Sequence, residues 1–347
     1  MDPDSVVLGG SVALVAAFAA GVTLFFGRLR LHRRPRTWAR VLAGNLLVFG
    51  LLLSLGLLGG ELYYRYVYDS TAAIGLTRTT GRWFQRHVRS NNFGFRDSLD
   101  YAHAIAPGRR RVTLLGDSFT IGHGIRDVEQ RFGNRVRRAL PDLEVHMVAQ
   151  AGWNTSHEGA TLVRMTKDGY QLDLVVLIYC LNDIADIVPE WQEVLERIHA
   201  HSQRGFLVRH SFLLNTLHYR WRATHDPDIA RYFDVVLRSY EGPIWDEQRA
   251  RLRLLRDVVA AAGGRLAIVT FPFLHDLGTD YPHRDVHRRL DALWRELGVP
   301  HLDLLATLEP YGRSELVVNR YDPHPNERAN ELAAQALLPF LRELLAR

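Results

Sequence analysis

Residues 112–122 read Val-Thr-Leu-Leu-Gly-Asp-Ser-Phe-Thr-Ile-Gly. A short apolar run stops at a glycine, and a polar turn follows at once, the pattern of a buried strand running into a loop. Similar runs lie at 143–148, 172–179, 266–271 and 302–305. Amphipathic stretches separate or follow them, at 247–262, 283–297 and 327–345. Apolar runs of this length alternating with helices predict an α/β fold with a parallel sheet covered on both faces. The turn at Gly116–Ser118 then falls at a strand's carboxyl end, where open parallel sheets bind ligands. Residues 184–244 are less regular and rich in Arg, His and aromatics, and are expected to form an insertion over one end of the sheet.

The N-terminal part is a different kind of polymer. Residues 6–27 contain no charge, and at 1.5 Å per residue they reach about 33 Å, enough for a hydrocarbon core of about 30 Å. Residues 41–60 form a second apolar span, with Asn45 its one strongly polar member, and Tyr63, Tyr64, Tyr66 and Tyr68 follow it as an interfacial belt. A cleaved signal peptide would carry its basic residues ahead of the apolar run, whereas Arg28, Arg30, Arg33, Arg34, Arg36 and Arg40 come after it. The division expected is therefore a two-helix transmembrane hairpin over 1–60, a connector over 61–110, and an α/β domain over 111–347 with its insertion at about 184–244. The short basic loop should stay cytoplasmic, which places everything after residue 61 on the opposite side.

The chain of 347 residues has a net charge of +5, but those six arginines account for most of the excess. A nucleic-acid partner, which needs a basic face on the folded domain, is not expected. One cysteine, Cys180, excludes an intramolecular disulfide and any multi-cysteine metal site.

Four loops carry chemistry. Ser118 offers a hydroxyl after the first strand; Gly152, in Ala149-Gln150-Ala151-Gly152-Trp153-Asn154, offers a bare backbone N–H after the second; Asn182 offers an amide after the third. An Asp–His pair stands before the last helix, in Tyr321-Asp322-Pro323-His324-Pro325-Asn326. Nucleophile, base and oxyanion donors together are what acyl transfer requires.

The order of these blocks resembles the SGNH (GDSL-type) hydrolase superfamily over about residues 90–345. Gly116, Asp117, Ser118 and Gly122 match its first block, Gly152 its second, and Asn182-Asp183 its third, with Cys180 where glycine is usual. Its last block, commonly Asp-x-x-His, stands here as Asp322-x-His324, with Tyr321 at the usual acid position. The shorter spacing is similar to that of some membrane-associated and polysaccharide-acylating relatives. Gly94-Phe95-Arg96-Asp97 also looks like bacterial members. The resemblance implies a flavodoxin-like three-layer α/β/α sandwich. It implies Ser118 as nucleophile, His324 as general base and Asp322 as the orienting acid. Ser118 N–H, Gly152 N–H and the Asn182 amide would form the oxyanion hole, with no metal and no cofactor.

The activity expected is a serine esterase that removes acyl groups, acetyl for instance, from an envelope glycan or lipid. A transferase would use the same acyl-serine, with a membrane-embedded acyl-donor partner, and a non-catalytic glycan-binding scaffold is the reading from another class. A single lysine among 43 basic residues fits a GC-rich bacterial genome. The expected location is thus a bacterial inner membrane, with the domain periplasmic or extracellular. His283 and His287, at i and i+4, read as a solvated helix face, His123 and His157 as pocket-lining or surface residues, and Cys180 as a buried thiol. The aromatics Trp191, Tyr219, Trp221, Tyr232, Tyr240 and Trp245 suit either sugar stacking or packing of the insertion. A reporter that works only outside the cytoplasm should be active when fused to the C-terminus, and activity of a cytoplasm-only reporter there would reverse the orientation.

Overall fold

Strand β3 (Leu174–Cys180) has the sequence LVVLIYC and is buried at every position, as a strand covered on both faces must be. In the computed structural model, which describes residues 2–31, 37–73, 77–202, 205–278 and 280–346, it is the centre of a five-stranded parallel sheet. The order is β2–β1–β3–β4–β5, with β1 at Arg110–Gly116, β2 at Leu143–Ala149, β4 at Arg265–Phe271 and β5 at His301–Asp303. Strand order reverses after β1 and β2, so the crossovers lie on opposite faces. Helix α5 (Phe132–Ala139) packs on one side against α16 (Glu327–Ala346), and α6 (Thr155–Lys167) packs on the other against α12 (Gly242–Ala261). This is the α/β architecture expected from the alternating runs.

The register decides where the loops emerge. Gly116 at the end of β1 pairs with Ala149, the last residue of β2, and with Ile178 of β3. The chain therefore leaves three adjacent strands within about one residue pair of the same level. Gly116 is needed there because a Cβ would lie 3.0 Å from the Ile178 carbonyl oxygen.

Two features lay outside the sequence reading. A short antiparallel hairpin, β6 (Val317–Asn319) and β7 (Asp322–Pro325), stands beside the main sheet. Residues 61–110, expected as an irregular connector, contain α3 (Arg78–His87) and grip the domain by side chains. Buried Arg96 donates to the carbonyls of Ile121, Gly122 and Ile125 at 3.1, 2.7 and 2.6 Å, and Asp97 pairs with Arg137. The solvated face assigned to His283 and His287 is also corrected. On α13 (Arg284–Glu296) and its cap these residues are 2% and 3% exposed, and His287 Nδ1 lies 2.9 Å from Asp303.

Helices α1 (Pro3–Leu31) and α2 (Trp38–Leu62) are long and apolar enough to cross a membrane. Their backbones approach closely: a Cβ at Gly50 would meet the Phe18 ring. Arg33, Arg34 and Arg36 of the basic loop lie outside the described residues. The insertion is helical, with α7 (Pro189–Ser202), α8 (Phe206–His210), α9 (Phe212–His225), α10 (Pro227–Ala230) and α11 (Tyr232–Ser239). Its main polar tie to the hairpin runs through Glu61. The Glu61 carboxylate, 2% exposed, accepts from Ser211 Oγ at 2.7 Å, Phe212 N at 3.1 Å and Leu213 N at 2.9 Å, and pairs with Arg65 at 2.7 Å. It caps the first turn of α9, whose free N–H groups favour an anion.

Candidate active site

Ser118 opens α4 (Ser118–Ile121), a single turn after β1 whose N-cap is Asp117. Asp117 Oδ1 accepts from Phe119 N at 2.9 Å, and Gly122 ends the turn at φ 72°, a left-handed conformation suited to glycine. Arg96 then holds the carbonyls behind the turn. The result is a serine fixed at the sheet's carboxyl edge.

Its partner comes from β7. Residues two apart on an extended strand project to the same side, and Asp322 and His324 do so across Pro323. His324 Nδ1 lies 2.5 Å from Asp322 Oδ1, and His324 Nε2 lies 2.9 Å from Ser118 Oγ. Asp322 Oδ1 also accepts from the His324 backbone N–H at 3.2 Å. The other carboxylate oxygen, Oδ2, accepts from the Thr71 hydroxyl. The Ser118 proton has a second acceptor, Asp117 Oδ2, at the longer distance of 3.2 Å. Tyr321, by contrast, directs its hydroxyl to Arg320.

Asp322 is fully buried. Burial alone would raise its pKa, but the charges of His324 and His123 and the hydrogen bonds to it hold the carboxyl well below the usual range. Burial opposes charge on the His324 ring, yet the Asp322 carboxylate outweighs it and raises the imidazole above its ordinary value. His123 packs over His324, with ring centroids 4.1 Å apart and planes at 15°. Its own pKa is lowered by burial and then by the neighbouring His324 charge. His123 Nε2 stands 3.4 Å from Asp322 Oδ2, too poorly aligned for a hydrogen bond. Donor atoms of His123, Asp322 and His324 lie within 4.8 Å of one another, a spacing that could hold a metal ion. Both His324 nitrogens are already committed to Asp322 and Ser118, which leaves His123 the less engaged ligand.

Gly152 and Asn182 reach the same cavity from the ends of β2 and β3. Gly152 has φ 81°, and nothing lies within 4 Å of where its Cβ would be. The Asn182 amide lies against the Tyr232 hydroxyl, and its Oδ1 is buried without a hydrogen bond among the described residues. Behind them Asp117, Asp183 and Glu158 are buried; burial first raises their pKa values, followed for Glu158 by repulsion from Asp117 and for Asp183 by repulsion from Glu158. Cys180 is buried with its thiol pKa pushed up by burial and then by Asp117, as suits a structural thiol. His157 is exposed.

The cavity holds about 540 Å³. Ser118, His324, Gly152 and Asn182 line it on the sheet side, and Trp191, Tyr219 and Tyr232 of the insertion line it opposite. Trp221 is instead exposed, and Tyr240 is buried against Tyr179 at 2.7 Å. Ser118, Gly152, Asn182 and His324, all named from sequence for the site, thus share one cavity, with Asp322 directly behind His324. Thr71 was not foreseen, since a lone threonine in a connector carries no signal. His123 was foreseen only as a pocket candidate.

No protein-family model matches this chain, and no curated protein does. Solved structures similar to it include TesA, at 15% identity over 68% of this chain and 99% of that one, with a TM-score of 0.43. The psychrotrophic esterase EstA from Pseudoalteromonas sp. is 14% identical over 69% and 100%, with a TM-score of 0.41. The acetyl xylan esterase AlAXEase is 13% identical over 65% and 97%, with a TM-score of 0.40. The chemistry of the site rests on its own geometry.

That geometry fixes how His324 titrates. In an NMR titration of the histidines, its midpoint should lie above the ordinary 6.5. Asp322→Asn should lower the midpoint, because it removes the charge that raises it, and Tyr321→Phe should leave it in place. The reverse ranking would give the orienting role to Tyr321.

Proposed function

We propose that this protein is a membrane-anchored serine ester hydrolase of the SGNH type, working through an acyl-serine. The observation that carries the reading is the unbroken chain Asp322–His324–Ser118, with contacts of 2.5 and 2.9 Å, at the wall of a cavity. Ser118 Oγ attacks the ester carbonyl while His324 Nε2 takes its proton. Asp322 keeps the other nitrogen protonated and offsets the imidazolium charge. Ser118 N–H, Gly152 N–H and the Asn182 amide face the developing oxyanion. The leaving alcohol takes the proton back from His324, and water then repeats the cycle in reverse to free the acid.

The anchoring rests on the two apolar helices. Asp4, at the start of α1, is ion-paired with Arg78 and lies 3.1 Å from His210, while Glu61, near the end of α2, caps α9. Both termini of the hairpin therefore meet the same soluble part. This suits a loop on the cytoplasmic side and a catalytic domain on the outer face of a bacterial inner membrane. The substrate class is an acyl ester presented at that surface.

A fluorophosphonate probe should label the wild type and not Ser118→Ala, and labelling that survives the substitution would remove Ser118 from the mechanism. On a chromogenic acetyl ester, Asn182→Ala should lower kcat by about 10²–10³, the loss of one oxyanion donor. Asp322→Asn should lower it by about 10⁴. Wild-type rate should fall as pH drops through the raised pKa of His324, where the base becomes charged. A rate indifferent to Asn182 and Asp322 would leave the cavity without its assigned chemistry.

A further inference from the structure

At the rim of the cavity one tyrosine ring carries two cations. Arg220, on α9, lies 4.4 Å from the Tyr321 ring centroid, and Arg320 lies 4.5 Å from it. Arg313 lines the same cavity and donates to the Arg320 carbonyl at 3.4 Å. Arg220 also stacks on Tyr64 and Tyr68, at 5.3 and 5.1 Å, and donates to their hydroxyls at 2.8 and 2.7 Å. Every one of these partners is neutral. Among the described residues none of the three guanidiniums is ion-paired, whereas Arg222 on the same wall is paired with Asp226 at 2.5 Å. Aromatic faces hold a guanidinium in place without cancelling its charge. Three gathered cations repel one another, and together they offer more donors than one carboxylate accepts. A phosphate, with its several oxygens and up to two charges, matches them better.

The height of this rim matters as much as its charge. Tyr64 and Tyr68 lie in the aromatic segment where α2 leaves the apolar span, and Glu61 locks α9 onto that end. On α9, Leu217 and Trp221, one turn apart, are 49% and 61% exposed, and Phe206 and Leu207 of α8 are exposed as well. An apolar face continuous with the ends of two membrane-crossing helices belongs at the bilayer interface, and lipid phosphates lie at that level.

We propose that Arg220, Arg313 and Arg320 form a phosphate subsite at the membrane surface, and that the substrate is an ester carried on a phosphate-bearing lipid. The lipid stays in the bilayer, its phosphate rests on the guanidiniums, and its ester reaches Ser118. This assignment rests on the ester-hydrolase reading of the same cavity.

Full-length protein in phosphatidylcholine nanodiscs would be given phenyl acetate and its charged counterpart 4-acetoxyphenyl phosphate, with products separated by chromatography. The wild type should favour the phosphate ester in kcat/KM by at least about tenfold. Arg220→Gln and Arg320→Gln should abolish that ratio, Arg220→Lys should restore part of it, and Arg253→Gln, which removes an outlying arginine paired with Glu296, should leave it intact. Replacing part of the lipid by phosphatidylglycerol should slow turnover of the phosphate ester by the wild type and Arg253→Gln, but not by Arg220→Gln. Equal ratios in wild type and variants, with phenyl acetate still turned over through Ser118, would overturn the subsite and leave the hydrolase standing. A preserved ratio with no effect of phosphatidylglycerol would overturn the lipid source in favour of a soluble phosphate ester. Failure to turn over either ester, with no labelling of Ser118, would overturn the hydrolase reading itself and the subsite with it.

Discussion

The buried Asp322 carboxylate is the group on which the arrangement of the site depends. A fully buried anion is costly unless its oxygens are satisfied, and here each oxygen has a task. Oδ1 holds His324 by both the ring and the backbone, and Oδ2 takes the Thr71 hydroxyl with His123 alongside. A carboxylate pinned on one oxygen can orient an imidazole with the other. The stiff Asp322-Pro323-His324 strand supplies the rest, because Pro323 restricts both its own φ and the residue before it. His324 is therefore aimed at Ser118 by covalent geometry as much as by charge.

Thr71 ties that carboxylate to the chain that leaves α2. Asn319 of β6 donates to Ser70 Oγ at 2.8 Å and to the Thr71 carbonyl at 3.0 Å, and Ala73 N donates to the Tyr321 carbonyl at 3.0 Å. The segment leaving α2 is thus bound along the hairpin that bears Asp322 and His324. A second tie runs from Glu61 to α9, which forms the facing wall of the cavity. The two facing walls of the cavity are both referred to the end of one apolar helix. That common reference is the physical reason for reading the cavity as one that works at a surface.

Much of this was legible in the sequence, for reasons of period and spacing. Buried parallel strands are largely apolar, so the short apolar runs stood out, and the loops after β1, β2 and β3 carried Ser118, Gly152 and Asn182 in strand order. The Asp322–His324 pair stood out as an Asp-x-His just before the last amphipathic stretch. What escaped was tertiary. Arg96 and Asp97 are charged residues that the fold buries by pairing them with carbonyls and Arg137, so composition alone made 61–110 look like a linker. His283 and His287 sit among arginines in sequence, but their helix turns them inward, toward Asp276 and Asp303. Thr71 acts across 251 residues of chain, and no local pattern marks such a contact.

The central claim of the proposed function is a covalent acyl group on Ser118, formed as His324, held by Asp322, removes its proton. Rapid mixing with 4-nitrophenyl acetate, acid quenching and peptide mass mapping would read this directly. The expected result is an acetyl group on the peptide bearing Ser118 within the first turnover, absent from His324→Ala and strongly reduced in Asp322→Asn. Acetylation at another residue, or steady hydrolysis with Ser118 left unmodified in Asp322→Asn and wild type alike when deacylation is slowed, would contradict it.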